Sequence, residues 1–514
     1  MSKEIDISLI VPPARASSLR PPLGLMYIAS CLREKNINPS IIDIKSKKNK
    51  AIVLSKIIDQ VKKENPEMVG ISCMSSDYSD TIKLAREIKN ISKKIIIIVG
   101  GIHATLYPDH FLNNEKSVDF VIMGEGENSC SQLVKALLEG SSINDMAGVR
   151  YLNKFGEIVI NPVPSIKDLN SLPMPAYDLV DMELYTAVNE WIIRGIPISG
   201  FYLFTSRSCP FDCSFCANKH LFGRGQRFRN PKSVIDEISL LIEKYKIDAL
   251  YFYDDTFTTN KNHVFEICNE IKKRGLNFIW GCETRANLLN EKLLREMKSA
   301  GCLQIDFGVE TASKELLKKI NKGVSVDDVR KTYKLCDKLG VRKLSNYLFN
   351  LPGETLVDVE QTIALAKELN SDINVFNCMT LYPGTDMFKE HCNSIAIEEI
   401  EKFANYDSFD DFLDLIEKKY RLASHTIKLH DLFHNVLKEF PTRKNFHIKN
   451  IVNKEYFLRF LRLFSFLINS LYLKQMLRSR KKVHYLRWAL TLVFAPIIKR
   501  RKILKSDHVF AKSE

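Results

Sequence analysis

The sequence has no apolar leader: Met1-Ser-Lys-Glu4 runs straight into a strand-like segment, 5–11. It has no bilayer-spanning run in its C-terminal region either, where the two apolar stretches, 463–473 and 488–498, are each about 11 residues long, short of the ~18–20 that a spanning helix needs. Without a leader, its 12 cysteines argue against a disulfide framework and for a reducing compartment. A cytoplasmic location is therefore expected, at the inner face of a membrane if the tail binds lipid. The body also lacks an excess of charge. The whole chain carries a formal net charge of +14, but residues 443–505 hold 17 Lys and Arg against the single acid Glu455, leaving about −2 for the remainder. A hydrophobic content of 45% and a charged content of 26% are ordinary for globular domains, and 514 residues suffice for two or three of them.

A fourth cysteine is missing where a structural zinc site would need one. Cys209, Cys213 and Cys216 stand four and three residues apart in Thr205-Ser-Arg-Ser-Cys-Pro-Phe-Asp-Cys-Ser-Phe-Cys-Ala217, after the apolar run 201–204. One short loop can turn three sulfurs at that spacing toward a single point. A structural zinc ion wants a closed tetrahedral shell, whereas a cubane iron–sulfur cluster on three thiolates keeps one iron open to an outside ligand. The next thiols, Cys268, Cys282 and Cys302, lie singly in separate segments, so no second pair completes a zinc ribbon. A structural metal loop, or thiols buried as small hydrophobes, is the plainer alternative; Cys268 and Cys336, on helical patterns, fit the latter.

The Cys209-x3-Cys213-x2-Cys216 spacing, with the aromatic Phe215 before the last thiol, resembles the cluster loop of the radical S-adenosylmethionine (SAM) enzymes. The resemblance implies a [4Fe–4S] cluster on those thiolates, SAM chelating the fourth iron, and a 5′-deoxyadenosyl radical formed when the cluster's electron cleaves SAM. Flanking Arg207 and Pro210 fit the cobalamin-binding branch of the family, and Ser208 stands where Gly is common there.

Residues 5–125 alternate strand patterns (5–11, 40–44, 68–73, 95–99, 120–123) with helical ones (24–35, 52–63, 81–90). Near-continuous apolar strands joined by amphipathic helices imply a parallel sheet covered on both faces, with its ligand at the carboxyl ends of the strands. Those ends carry Pro12-Pro13, Ser72 to Ser76, Gly100-Gly101-Ile-His103 and Gly124-Glu125-Gly126. With Pro21-Pro-Leu-Gly-Leu25 opening the first helix, residues 5–130 resemble the Rossmann-like cobalamin-binding domain of the same branch. The resemblance makes Pro12, Ser75, Gly100, Gly101, His103, Gly124, Glu125 and Gly126 candidate cobalamin contacts. The Asp-x-His-x-x-Gly signature of proteins that ligate cobalt through His is absent, so His103 is expected to be a loop histidine and the cobalt's lower face unligated or water-bound. A nucleotide-binding sheet without cobalamin is the alternative.

A helix at 133–138 closes this domain. Segments 148–152 and 157–160 read as a hairpin, and Pro162, Pro164, Pro173 and Pro175 as an extended linker. From Phe201 the chain repeats strand-then-helix six times, with strands at 201–206, 248–254, 277–282, 302–309, 343–350 and 373–381. Six units make an open, partial β/α barrel with its active-site residues at the carboxyl ends of the strands. The expected architecture is thus α/β: a cobalamin-binding Rossmann-like domain at 1–140, a hairpin and linker at 141–197, a partial (β/α)6 radical SAM barrel at 198–394 and a basic, largely helical region at 395–514.

Five motifs at strand ends match the family in order. Tyr251-Phe-Tyr-Asp-Asp-Thr-Phe257 resembles the segment meeting SAM's amino group; adjacent carboxylates point to opposite faces of a strand, and Asp255 is favoured over Asp254, with a helix N-cap as its other possible role. Trp280-Gly-Cys-Glu-Thr-Arg285 offers Glu283 and Arg285 as a charge pair near SAM or substrate. Phe307-Gly-Val-Glu-Thr311 resembles the ribose-contacting segment; Glu310 suits two vicinal hydroxyls, or else a buried salt bridge. Asn350-Leu-Pro-Gly-Glu-Thr355 looks like the Gly-x-Pro-Gly-Glu-Thr loop, with Asn350 in place of Gly, and Tyr382-Pro-Gly-Thr-Asp386 completes the set.

In the tail, 409–423 reads as a helix, followed by His425, His430 and His434 at a spacing that suits a solvated or core-edge face better than a metal site. Aromatic and aliphatic residues interleaved with Lys and Arg beyond Tyr456 suit a helix lying in a membrane interface; packing on the barrel or a partner is the rival, and nucleic acid fits the apolar faces poorly. The resemblance implies methylation of an unactivated carbon, with a flavodoxin- or ferredoxin-type reductant and a small-molecule or lipid substrate. Ring formation, rearrangement or oxidation by the same radical, and a non-catalytic cobalamin or redox sensor, remain open. Methylthiolation is disfavoured, because the N-terminal domain lacks the extra cluster cysteines it would use.

Overall fold

A computed structural model describes residues 5–13, 20–45, 50–113, 115–223, 225–392, 409–440, 475–476, 478–479 and 481. They form two compact units. One comprises residues up to 182 with 215–227 and the segment from 381; the other comprises 183–214, 228–380 and the C-terminal residues from 408.

The first unit is built on a seven-stranded sheet in the order β2-β1-β3-β4-β5-β6-β7. Its strands are β1 (Ile7–Ile10), β2 (Pro39–Ile42), β3 (Met68–Ser72), β4 (Ile96–Gly100), β5 (Phe120–Ile122), β6 (Val149–Leu152) and β7 (Ile158–Ile160). The first five are parallel and doubly wound. Alternate residues of β4 explain the near-continuous apolar pattern. Ile97 and Val99 join a core with Val53 and Ile57 of one helix and Leu84 and Ile88 of another. Ile98, between them, joins the opposite core with Leu25, Ala29, Leu133 and Val134. The chain reverses its winding between β1 and β3, and the crevice at such a reversal is where doubly wound sheets take ligands.

One expectation changes here. The hairpin that the sequence places outside this domain completes its sheet, because β6 pairs antiparallel with β5 through Ile122 and Val149. The Phe120 and Tyr151 rings, 5.7 Å apart, cover the join.

The second unit begins with a hairpin, β8 (Asn189–Ile193) and β9 (Ile196–Ile198), followed by six parallel strands in sequential order: β10 (Gly200–Leu203), β11 (Ala249–Phe252), β12 (Ile279–Thr284), β13 (Cys302–Glu310), β14 (Arg342–Phe349) and β15 (Ile373–Cys378). All six expected strands are present, and the sheet is open, as six units imply. Helices start where side chains satisfy the first free backbone N–H groups: Asn230, Asn260, Asn290 and Ser313 cap four of them, and Ser325–Asp328 and Thr355–Asp358 form capping boxes. One face of the sheet packs on these helices: Phe252 lies edge-on to Trp280 at 5.0 Å, and Phe307 meets Tyr333 of the helix Val326–Leu339 at 5.1 Å. The other face carries Tyr251, Glu283, Gln304, Asp306 and Arg342, polar groups where a closed barrel would hold bulky aliphatics.

The expected helix at 409–423 is present as Phe409–Lys419, followed by Leu429–Glu439. His430 and His434 stack on the latter at 6.1 Å, while His425 lies buried 3.7 Å from Glu354, so the three histidines do not share one face. Among the described residues no helix is long and apolar enough to cross a membrane. The aromatic runs of the tail lie outside the described residues, but part of its basic stretch is placed. Ser479 donates to Asp248 at 2.7 Å, Gln475 reaches Asp248 and Asn277, and the Lys481 ammonium reaches Thr186 and Ser199 at 2.9 Å. Asp248 and Ser199 directly precede β11 and β10, so this stretch is docked at the amino ends of the strands, and burial lowers the Lys481 pKa.

Candidate functional site

The cysteine loop leaves β10 over a buried carboxylate that the sequence reading passed over. Asp254 accepts from the backbone N–H groups of Thr205 (2.7 Å) and Ser206 (3.2 Å), from the Ser206 hydroxyl (3.0 Å) and from the Thr205 hydroxyl. Burial pushes its pKa up to about 6 against the pull of those donors. It thereby ties the end of β11 to the root of the loop. Asp255, next along, is exposed, and Asn260 rather than Asp255 caps the following helix. The pair lies past the end of β11, so strand alternation does not itself apply there, yet one carboxylate is buried and its neighbour exposed.

Ser208, standing where Gly is common, has φ +71 and so keeps the left-handed turn at some steric cost. Beyond it the loop is pinned by Asn321 Nδ2 on the Asp212 carbonyl at 2.7 Å and by the Ser214 N–H on the Ile320 carbonyl at 3.1 Å. All three thiols are half-buried. Cys209 lies 3.4 Å from the Thr256 hydroxyl. Cys213 accepts from the Arg285 guanidinium at 3.3 Å, and that guanidinium stacks 3.7 Å above the Phe211 ring. Among the described residues no three His, Cys, Asp or Glu side chains are already gathered for a metal ion, these thiols included. What fits a [4Fe–4S] cluster is the donor set, three thiols on one braced loop, with a cation and hydroxyl beside the sulfurs to moderate the charge of an anionic centre.

The expected Glu283–Arg285 charge pair does not form. The two side chains find different partners: Arg285 goes to Cys213, and Glu283 Oε1 meets the Tyr251 hydroxyl at 3.3 Å. Burial, with Asp306 nearby, pushes the Glu283 carboxyl up to about 7.

Glu310, at φ +65, is buried in an ion pair with Lys322 at 2.5 Å, the alternative role weighed for it. A Cβ at Gly308 would run into the Glu310 carboxylate and the Lys322 ammonium, so a larger residue there has to displace this ion pair. Asn350 also has φ +65, which explains why Gly is usual at this position and Asn tolerable. Its amide is committed within the fold: Nδ2 donates to the Met379 and Tyr420 carbonyls at 3.2 Å, and Oδ1 accepts from the N–H groups of Leu422 (2.8 Å) and Ala423 (3.2 Å).

In the first unit, Pro12 lies buried just past β1 and Ser75 just past β3, on either side of the reversal in winding. His103 is fully buried, with Nδ1 3.1 Å from the Ser75 hydroxyl and Nε2 3.3 Å from His110 Nδ1, among the rings of Tyr78, Tyr107 and Phe111. Both ring nitrogens are occupied, and burial holds its pKa down at about 3. Gly101 is confined to glycine by its φ of +102 and by the Cys73 carbonyl 2.6 Å from any added Cβ. Gly124 donates its N–H to the Thr105 hydroxyl at 2.9 Å, and Gly126 opens the helix Gly126–Glu139. Glu125 turns inward, accepting from the Ile166 N–H at 2.9 Å and pairing with Arg227 at 2.6 Å. At these glycines the carboxyl edge of the sheet packs directly on its own neighbours: an added Cβ would meet Ile122 at Gly100, Val163 at Gly124 and Ile28 at Gly126.

Residues 14–134 match the B12 binding domain and residues 203–366 the Radical SAM superfamily. An uncharacterized methyltransferase of Pyrococcus horikoshii is 35% identical over 393 residues, covering 75% of this chain and 83% of that protein. The anaerobic magnesium-protoporphyrin IX monomethyl ester cyclase of Rubrivivax gelatinosus is 28% identical over 382 residues, covering 71% of this chain and 67% of that protein. Among solved structures, the radical S-adenosylmethionine methyltransferase TsrM from Kitasatospora setae matches with a TM-score of 0.63 over 75% of each chain; at 19% identity the likeness is one of fold.

Proposed function

This chain belongs to the radical SAM enzymes that carry a B12-binding domain, and from that premise we propose that it methylates an unactivated carbon of its substrate. The observation that carries the reading is the match to an uncharacterized methyltransferase at 35% identity over 393 residues, joined to the braced three-thiol loop. Bound, the cluster and SAM supply a radical able to take hydrogen from carbon, and cobalamin supplies a methyl group. Cys209, Cys213 and Cys216 hold the cluster, and Arg285 offsets its charge through Cys213. Asp255, exposed just past β11, takes SAM's amino group, while Asp254 fixes the loop. Pro12, Ser75, Gly100, Gly101, Gly124 and Gly126 form the cobalamin edge, with His103 acting through Ser75 and Glu125 bracing its loop from inside. The polar lumen excludes bulk water and orients the substrate. A flavodoxin- or ferredoxin-type protein delivers the electron.

A second reading, ring formation by the same radical, is favoured by the 28% identity to a cyclase. Feeding trideuteromethyl methionine to a host expressing the chain, beside a Cys209/Cys213/Cys216 triple Ala variant, separates the two. Methylation gives a metabolite carrying the CD3 group only with the wild type; a new product without the label sinks the methylation reading.

A lipid or isoprenoid substrate follows from the interleaved aromatic and basic tail. Truncation near residue 440 would also remove Gln475, Ser479 and Lys481 from the barrel. The cleaner test replaces Lys499, Arg500, Arg501 and Lys502 by Gln in the full chain and compares flotation with anionic liposomes. Equal flotation of the two proteins, or none, counts against a membrane-bound tail.

A further inference from the structure

The lumen face of the second unit holds a chain of polar side chains that the cofactor contacts do not use. From the Tyr251 hydroxyl the distances are 2.9 Å to Asp306 Oδ2 and 3.3 Å to Glu283 Oε1. Asp306 also accepts from Gln304 Nε2 at 2.9 Å and has Arg194, at the tip of the β8–β9 hairpin, 3.9 Å away. Gln304 in turn accepts from Arg342 at 2.6 Å, and Arg342 donates to the Arg194 carbonyl at 3.2 Å. Asp306, Tyr251, Gln304 and Arg342 are buried, whereas Glu283 is only half-buried.

A phenol has one proton to give, and here two carboxyl groups stand beside it. The closer, Asp306, has Gln304 and Arg194 to support its negative charge. Glu283 has no cation within ion-pair distance among the described residues. If the phenol gives its one proton to Asp306, the contact with Glu283 is a hydrogen bond only when Glu283 itself carries a proton and donates it to the Tyr251 oxygen. Its other oxygen, Oε2, is then a neutral acceptor.

Resting on the methyltransferase reading, we propose that Glu283 is the specificity-determining residue of the barrel, a protonated carboxyl positioned by Tyr251 and Asp306 whose Oε2 accepts a hydrogen bond from an uncharged hydroxyl or amide of the substrate. The groups that face it are Asp306, Tyr251, Arg194 and Asp255; the two carboxylates favour its neutral form, and Arg194 and a donating Tyr251 hydroxyl oppose them. A substrate that is hydrocarbon alone leaves this acceptor unmet in a desolvated site, and a cationic one gains nothing from a neutral acid. The substrate class is therefore a molecule bearing a neutral O–H or N–H donor near the reacting carbon, a hydroxylated isoprenoid included.

Two arms test this on the full chain. Infrared difference spectroscopy of the metal-free protein at neutral pH reads a protonated carboxyl directly. The band is expected in the wild type, absent from Glu283→Gln, and titrating at lower pH in Asp306→Asn, which removes the neighbouring like charge. No Glu283-dependent band at neutral pH overturns the proposal, and this arm is independent of any reaction. The second arm follows the trideuteromethyl-labelled product in cells. Glu283→Gln, which keeps a neutral acceptor, retains product within roughly threefold, and Glu283→Leu loses roughly tenfold or more with iron and cobalt contents unchanged. Equal product from Glu283→Leu and wild type overturns the role. A wild type with no labelled product, beside an intact infrared band, overturns the methylation reading and the substrate role built on it while leaving the proton assignment standing.

Discussion

The Arg285 guanidinium donates to the Cys213 sulfur at 3.3 Å while lying 3.7 Å above the Phe211 ring. A donor on a cluster thiolate stabilises the reduced, more negative state over the oxidised one. One hydrogen bond of about 1 kcal/mol corresponds to a shift on the order of 50 mV for a one-electron couple. Arg285→Met is expected to lower the cluster potential by that amount without loss of iron, as read by redox titration of the anaerobically reconstituted chain. An unchanged potential would mean the contact does not persist once the cluster is bound.

Asp254 and Asp255 are adjacent and should fail differently. Asp254 is buried under four hydrogen bonds to Thr205 and Ser206, so Asp254→Ala strands those donors and is expected to cost about 3 kcal/mol in urea unfolding. Asp255→Ala, at an exposed position, should leave stability within about 0.5 kcal/mol and weaken SAM binding instead. Equal destabilisation by the two would overturn the division of roles.

That division shows how far the sequence reached. The sequence pattern reads Asp254 and Asp255 as alternating on a strand; they lie in the turn after β11, and the buried/exposed split between them comes from that turn. The four donors on Asp254 were not legible, because they come from a loop 48 and 49 residues earlier. The six barrel strands and the doubly wound sheet were legible from hydrophobic period alone. The edge hairpin β6–β7 was not, since pairing with β5 is a long-range choice that no local pattern encodes. Glu283 and Arg285 share a strand end and opposite charge, yet each meets a partner from another strand or loop, Tyr251 and Cys213. Spacing places side chains on a face; it does not choose among the groups waiting there.

Asn350 occupies a glycine-like conformation and spends its amide on the segment 420–423. Asn350→Gly keeps the backbone and loses the clamp; Asn350→Ala loses the clamp and adds left-handed strain of about 1 kcal/mol. Thermal unfolding should therefore rank wild type above Gly and Gly above Ala, with faster proteolysis between residues 419 and 429 in both variants. A Gly variant as stable as wild type would deny the clamp.

His103 is buried neutral with its pKa down at about 3, against 6.5 for the free side chain. The unfolded chain takes up a proton before the folded one, so stability is full above pH 6.5 and is lost as pH falls toward 3. Between pH 6.5 and 5 the loss attributable to this residue is up to about 2 kcal/mol. Amide exchange over residues 102–113 should accelerate on acidification in the wild type and much less in His103→Gln. The same acid sensitivity in both would assign the effect to His110 or elsewhere.

The most direct test is the iron, sulfide and cobalt content of the chain purified without oxygen and supplied with iron, sulfide and cobalamin. The expected result is about four iron and about one cobalt per chain, with iron lost and cobalt retained in the Cys209/Cys213/Cys216 triple Ala variant. Iron that survives the triple substitution, or a wild type that takes up iron without cobalt, would contradict the assignment of cluster and cobalamin to these two units.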